Sequence, residues 1–145
     1  MPKKVFVDTN ILIDAAVPDR EQHLSAILLE NEVAYGGLRA HVAATTLKDV
    51  YLLIKGETDE AFAREYIQCL MKLYQLTAVD TFICADAAQS NEPDFEDGII
   101  RSCAEQLGAE YIISRDEKAF KNSPIKRITA EEYIDMFVEL EEVEL

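Results

Sequence analysis

The sequence predicts an α/β domain, a three-layer α/β/α arrangement around a small, mostly parallel central sheet. Short apolar runs alternate along the 145 residues with longer stretches of helical periodicity. Alternation of that kind gives parallel strands whose crossover helices cover both faces of the sheet. In addition, acidic residues stand just after two of the apolar runs, Asp8 after "VFV" and Asp116 after "YIIS". In a parallel sheet the loops that follow the strands share one rim, and that rim forms the ligand crevice.

Each element follows from local pattern. Residues 4–8 form a short buried strand, and "ILIDAAV" (11–17) and "REQHLSAILLENE" (20–32) are helices, the second with Leu24, Ile27 and Leu28 at helical spacing. "GGL" breaks the pattern, and "HVAA" (41–44) is a weak strand. A helix opens at Thr45 or Thr46, because Leu47, Val50, Tyr51 and Ile54 form one stripe, and Gly56 is expected just past its end. "DEAFAREYIQCLMKLYQ" (59–75) is a further helix, "LTAV" (76–79) a strand, and a helix runs from Thr81 to about Ser90. Pro93 and Asp94 introduce a helix that stops at Gly108. "EYIIS" (110–114) and "IKRI" (125–128) are strands, and Thr129 with Glu132 makes a capping box for the last helix.

Length and composition indicate a single domain over 1–145, with an acidic tail over about 138–145. At 49% hydrophobic content a chain of this size buries about 70% of its extended surface, so it needs no covalent staples. Cys69, Cys84 and Cys103 have no zinc-type spacing and read as reduced core thiols of a cytoplasmic protein. No run approaches the ~18 apolar residues of a membrane span, and no secretory leader is seen. No dinucleotide glycine pattern or phosphate-cradling glycine-lysine loop occurs, which excludes the common nucleotide-cofactor enzymes.

The net charge of -14 argues against a non-specific nucleic-acid binder. Its distribution is uneven. Seven acids and no base fall in 131–145, whereas "RDEKAFKNSPIKR" (115–127) carries five of the fourteen basic residues, among them Lys118, Lys121 and Lys126. That strip is either a local phosphate-binding surface or ordinary solvated charge.

Three more acidic positions have both a structural and a chemical reading. In "PDFEDGIIRSCAEQLG", Asp94 suits an N-cap, and Asp97 three residues later suits the positive helix end. The same helix end would face the crevice rim. Asp49 lies on the far side of its helix from Leu47, where an aspartate is usually solvated. Carboxylates gathered on one rim repel one another unless a divalent cation neutralises them. Oxygen ligands without cysteine or paired histidine select Mg2+ or Mn2+ over zinc. Such ions lower the pKa of bound water and stabilise the oxygens of a phosphodiester under attack. Metal-assisted phosphodiester hydrolysis is therefore the reaction class suggested.

At this point the sequence resembles the PIN domains, a family that includes the VapC-like toxins of bacterial toxin–antitoxin pairs. "VFVDTNILID" resembles the family's opening strand, "AATTLKDVYLLIKG" the helix with its second acid, and "PDFEDGIIRSCAEQLGAEYIISRDEKAF" its third and fourth acidic motifs. The "DFED…ISRDEKAF" form is most like the branch with DFED followed by TRN or TRD. The resemblance implies a catalytic quartet of Asp8, Asp49, Asp97 and Asp116, with Asp94 an extra carboxylate, and metal ligation by Asp8, Asp94, Asp97 and Asp116. It implies a Mg2+- or Mn2+-dependent ribonuclease, commonly a homodimer and commonly held inactive by an antitoxin. Asp49 departs from the glutamate of many relatives by one methylene. Thr9 and Asn10 are supporting residues, a hydroxyl near the metal and an amide holding the Asp8 loop, or simply turn formers. Arg115 either reaches a scissile phosphate or makes a surface ion pair.

Two other functions remain open on sequence. One keeps the fold without the chemistry, as an RNA- or protein-binding module. The other is a phosphatase with an aspartate nucleophile after the first strand, although Asn10 stands where such enzymes want a second acid.

Overall fold

A computed structural model of the chain describes residues 3–138. Five strands, β1 (Lys3–Val7), β2 (Leu38–Ala43), β3 (Gln75–Thr77), β4 (Tyr111–Ile113) and β5 (Lys126–Ile128), form one sheet in the order β3-β2-β1-β4-β5. Every neighbouring pair is parallel. The helices are α1 (Thr9–Ala16), α2 (His23–Ala34), α3 (Ala44–Glu57), α4 (Glu60–Leu73), α5 (Thr81–Gln89), α6 (Phe95–Leu107) and α7 (Ala130–Phe137).

Alternation along β1 sorts the layers. Val5 and Val7 join Leu12 of α1, Leu29 of α2, Val50 of α3, Leu70 of α4 and Ile134 of α7 in one buried cluster. Phe6 points the other way, toward Ile83 of α5 and Ile99, Ile100 and Cys103 of α6. The result is the expected three-layer α/β/α fold. Chain order reverses between β1 and β4, and the crevice beyond their carboxyl ends is the switch point of the sheet.

Local chemistry sets the helix ends at that rim. Asp8 and Asp94 N-cap α1 and α6, and Thr129 and Glu132 form the full capping box of α7. Gly108 closes α6 in the left-handed region at φ 71°. Gly98 lets α6 approach α5 closely, since a Cβ there would meet the Ala87 carbonyl oxygen at 2.8 Å.

Several boundaries differ from expectation. Gly56 lies inside α3 and does not end it. The helix stops at Thr58, whose hydroxyl donates to the Ile54 carbonyl at 2.6 Å. β2 is longer and earlier than "HVAA", because Leu38 and Ala40 already bury against α2 and β1, and Ala44 belongs to α3. β3 begins at Gln75, pulled into register by His41 of β2. The three cysteines are free, but Cys69 lies exposed on α4 and is no core residue. Of the expected acidic tail only Val138 is described, so the remainder lies outside the described residues. Among the described residues no helix is long and apolar enough to cross a membrane.

Candidate active site

The site starts from strand register. Val7 pairs with Ile113 across β1 and β4, so the next residue on each strand, Asp8 and Ser114, meet at the carboxyl rim. The Asp8 amide continues the ladder by donating to the Ile113 carbonyl at 2.9 Å. The Asp8 side chain is then held on both oxygens. Oδ1 accepts the Thr9 amide at 2.7 Å, while Oδ2 accepts the Ser114 hydroxyl at 2.7 Å and the Asn10 side-chain amide at 3.2 Å. Burial raises the Asp8 pKa against the lowering effect of the Ser114 and Thr9 hydrogen bonds, and the charges of Asp116 and Asp94 push the same way as burial.

Ser114 also organises the neighbouring acid. Fully buried, its Oγ accepts the Asp116 amide at 3.1 Å, and the Asp116 carboxylate accepts the Lys118 amide at 2.9 Å. Asp116 thus sits in a tight turn beside Asp8. The amino end of α6 completes the rim. Asp94 caps the helix by accepting the Asp97 amide at 2.8 Å, which leaves Asp97 buried in the first turn.

Asp97 is the most perturbed acid of the group. Burial, followed by the charges of Asp94, Asp116 and Asp8, pushes it from the ordinary 3.8 up to about 7. A helix amino terminus favours a carboxylate by only about 0.3–1 kcal/mol, so burial and three neighbouring charges prevail. Asp49 is half-buried rather than solvated. It faces Glu96, and burial together with the Asp49 charge raises the Glu96 pKa. A cavity of about 270 Å³ lies between these elements, lined by Asp8, Thr9, Thr45, Lys48, Asp49, Phe95, Glu96 and Asp97 among others.

The other sequence-derived residues have partners of their own. Thr9 spends its hydroxyl on Thr46 of α3, at 2.7 Å. The Arg115 guanidinium turns from the acids to Asp14, Nε donating to Oδ2 at 2.8 Å, and Asp14 is only 1% exposed. This ion pair borders a second cavity of about 420 Å³ under α1, α2 and α7. Lys118, Lys121 and Lys126 are exposed. Lys126 pairs with Tyr111 at the amino end of β5, away from the carboxyl rim, while Lys118 adjoins Asp116.

Among the described residues no three acidic, histidine or cysteine side chains converge closely enough to hold one ion as they are placed. Chemically the residues fit such an ion. The donors are carboxylate oxygens, and the pKa values of Asp8 and Asp97 are raised first by burial and then by the charges of neighbouring acids on the rim. A divalent cation would relieve the opposition among those charges.

Sequence reasoning passed over Ser114, Glu96 and Thr46. Ser114 had a faint signal, since it follows its strand as Asp8 follows β1. Glu96 was hidden beside Asp97, and Thr46 resembled a helix-start residue.

Residues 4–118 match the family model described as the PIN domain. The chain belongs to the PIN domain family. No curated protein matches it. Among solved structures, this PIN domain is similar to one chain of a toxin–antitoxin complex from Klebsiella pneumoniae, at 21% identity and TM-score 0.64, over 87% of this chain and 97% of that one. It is similar to VapC20 of Mycobacterium tuberculosis, named a sarcin–ricin loop cleaving toxin, at 13% identity and TM-score 0.63, covering 83% and 99% of the two chains. A third likeness is to DNA-bound VapBC from Salmonella typhimurium, at 16% identity and TM-score 0.63, covering 90% and 99%. At these identities the likenesses establish the PIN fold.

Proposed function

We propose that this PIN domain is a divalent-metal-dependent endoribonuclease that hydrolyses RNA phosphodiesters and acts as the toxin of a toxin–antitoxin pair. The observation that carries the reading is Asp97, buried at the rim and pushed up to about 7 by burial and by Asp94, Asp116 and Asp8. Acids from the end of β1, from α6 and from the loop after β4 thus act on one another electrostatically, as ionisable groups gathered in functional clefts do. Family membership supports a nuclease in general, and resemblance to toxin–antitoxin structures supports an antitoxin partner. A homodimer belongs to the same proposal.

In this reading Asp8, Asp94, Asp97 and Asp116 hold Mg2+ or Mn2+. The bound ion supplies a water of lowered pKa and positive charge at the phosphate. Ser114 and Asn10 fix the orientation of Asp8, and Ser114 also fixes the turn at Asp116. Asp49 and Glu96 lie side by side on the cavity wall, close enough for their carboxyls to hydrogen-bond. With the ion bound, Asp49 and Glu96 would supply the carboxylates that hold a proton beside the phosphate. The phosphatase alternative loses ground because Asn10, at the second-acid position, commits its amide to Asp8 and Ser114.

The non-convergence of the acids favours a second reading, a binding module that keeps the fold without cleavage. Purified protein incubated with single-stranded RNA in manganese or in EDTA separates the two. The nuclease reading expects cleavage in manganese only, and loss of cleavage with an intact fold in Asp97→Asn. RNA that is bound in manganese but never cut establishes the binding module instead.

A further inference from the structure

Phe95 is an aromatic residue in an unfavourable place for burial alone. It is the first residue of α6, flanked by Asp94 and Glu96, and it is 50% exposed. Tyr35, Phe62 and Phe82 are at least as exposed, but none of them lines the acidic cavity. Phe95 does line it, together with Asp8, Asp49 and Asp97. Its backbone is held firmly, by the Asp94 cap on one side and by the close packing of Gly98 against α5 on the other. Lys48 is the cation among the residues that line the same cavity.

We propose that Phe95 is the stacking platform for an unpaired base of single-stranded RNA, with Lys48 contacting the adjoining phosphate. This rests on the ribonuclease reading and adds the residues that seat the strand. A half-exposed aromatic ring on a rigid helix end offers a π-face to any base, and a strand seated on it lays its phosphodiester along the acids. A duplex keeps its bases stacked on one another, so it has no free face to give. A cavity of about 270 Å³ has room for one nucleotide rather than a helix. The platform is tolerant of base identity, because stacking reads no donor or acceptor pattern. Lys48 supplies the charge that an otherwise acidic cavity needs to admit a phosphate.

The test compares native protein, Phe95→Leu, Phe95→Trp and Lys48→Gln, using a short unstructured RNA that contains 2-aminopurine and its duplex form. Binding is measured with manganese in an Asp97→Asn background, so that RNA is held and not cut. Replacing the ring by leucine is expected to weaken single-strand binding by about 10-fold and to remove the quenching of 2-aminopurine, while tryptophan keeps both. Lys48→Gln is expected to weaken binding and reduce its salt dependence without changing the quenching. The manganese-induced rise in Tm, measured with Asp97 intact, stays the same in Phe95→Leu, because the ring is no ligand. Equal binding and quenching by Phe95→Leu overturns the platform, as does equal binding of the duplex. The two readings fail separately. Native protein that cuts RNA as well as Phe95→Leu does keeps the nuclease and loses the platform, whereas Phe95-dependent quenching without any cleavage keeps the platform and loses the nuclease.

Discussion

The Ser114 hydroxyl stands 2.7 Å from Asp8 Oδ2, a hydrogen bond between residues 106 positions apart. It is the link between the two halves of the rim, because the same oxygen accepts the Asp116 amide. Ser114→Ala leaves a buried carboxylate oxygen and a part-buried amide each without that partner. Such losses cost about 1–3 kcal/mol in denaturant unfolding. The Asp8 pKa, already raised by burial, moves further up as one of its stabilising bonds is lost. Unfolding within experimental error of native would show that the bond is not formed in solution.

Cation binding is checked independently of activity. An ion that binds only the folded state stabilises it by mass action, by about 2.7 kcal/mol at a hundred times its Kd. Millimolar Mn2+ is expected to raise Tm in the native protein, and Asp8→Asn is expected to remove most of that rise. An equal rise in both proteins would place the ion elsewhere.

Asp97 makes stability in EDTA depend on pH. Its folded pKa, about 7, lies above its ordinary 3.8, so between those values the folded state holds a proton that the unfolded chain has released. Its contribution is therefore complete below about pH 4, declines as pH rises toward 7, and is flat beyond. Asp8 and Glu96, also raised, act in the same direction. Urea midpoints from pH 5 to 8 are expected to fall with pH in native protein and to fall less in Asp97→Asn. Saturating Mn2+ reverses the slope, since proton and cation compete for the same oxygens. Identical slopes for native and Asp97→Asn would exclude a shifted Asp97.

What the sequence could show followed the range of each interaction. Helical stripes such as Leu47, Val50, Tyr51 and Ile54 and caps such as Asp94 and Thr129 act within a few residues, so the architecture and the acids after β1 and β4 were legible. Gly56 misled because its helix penalty is about 1 kcal/mol, less than Ile54 gains by burial against the sheet. Ser114 and Glu96 required strand register and helix placement that no local pattern carries. On sequence Arg115 either reaches a phosphate or makes a surface ion pair, and its ion-pair partner, Asp14, lies 101 residues away where no local pattern points to it.

That ion pair gives a prediction that separates structure from chemistry. Arg115→Ala strands the Asp14 carboxylate, which is 1% exposed, and unpairing a buried charge destabilises by about 1–3 kcal/mol or more. Because Arg115 is turned away from the acidic cavity, cleavage per folded molecule is expected to change little. A variant of native stability that no longer cuts would return Arg115 to the reaction.

The lysines of 115–127 can be ranked by position. Lys118 follows the Asp116 turn at the carboxyl rim, whereas Lys126 stands beside Tyr111 at the other end of the sheet. Phosphate contacts release counterions, so each lysine that grips RNA adds to the slope of log affinity against log salt, by about 0.7 for a single strand. Lys118→Gln is therefore expected to reduce the slope and weaken binding across sequences alike, since phosphate contacts position the strand without reading bases. Lys126→Gln is expected to leave slope and affinity unchanged. Affinity titrations of one single-stranded RNA at several salt concentrations decide it. Equal slope losses in the two variants would mean that RNA runs past the amino end of the sheet, and no loss in either would leave Lys48 as the principal grip on the strand.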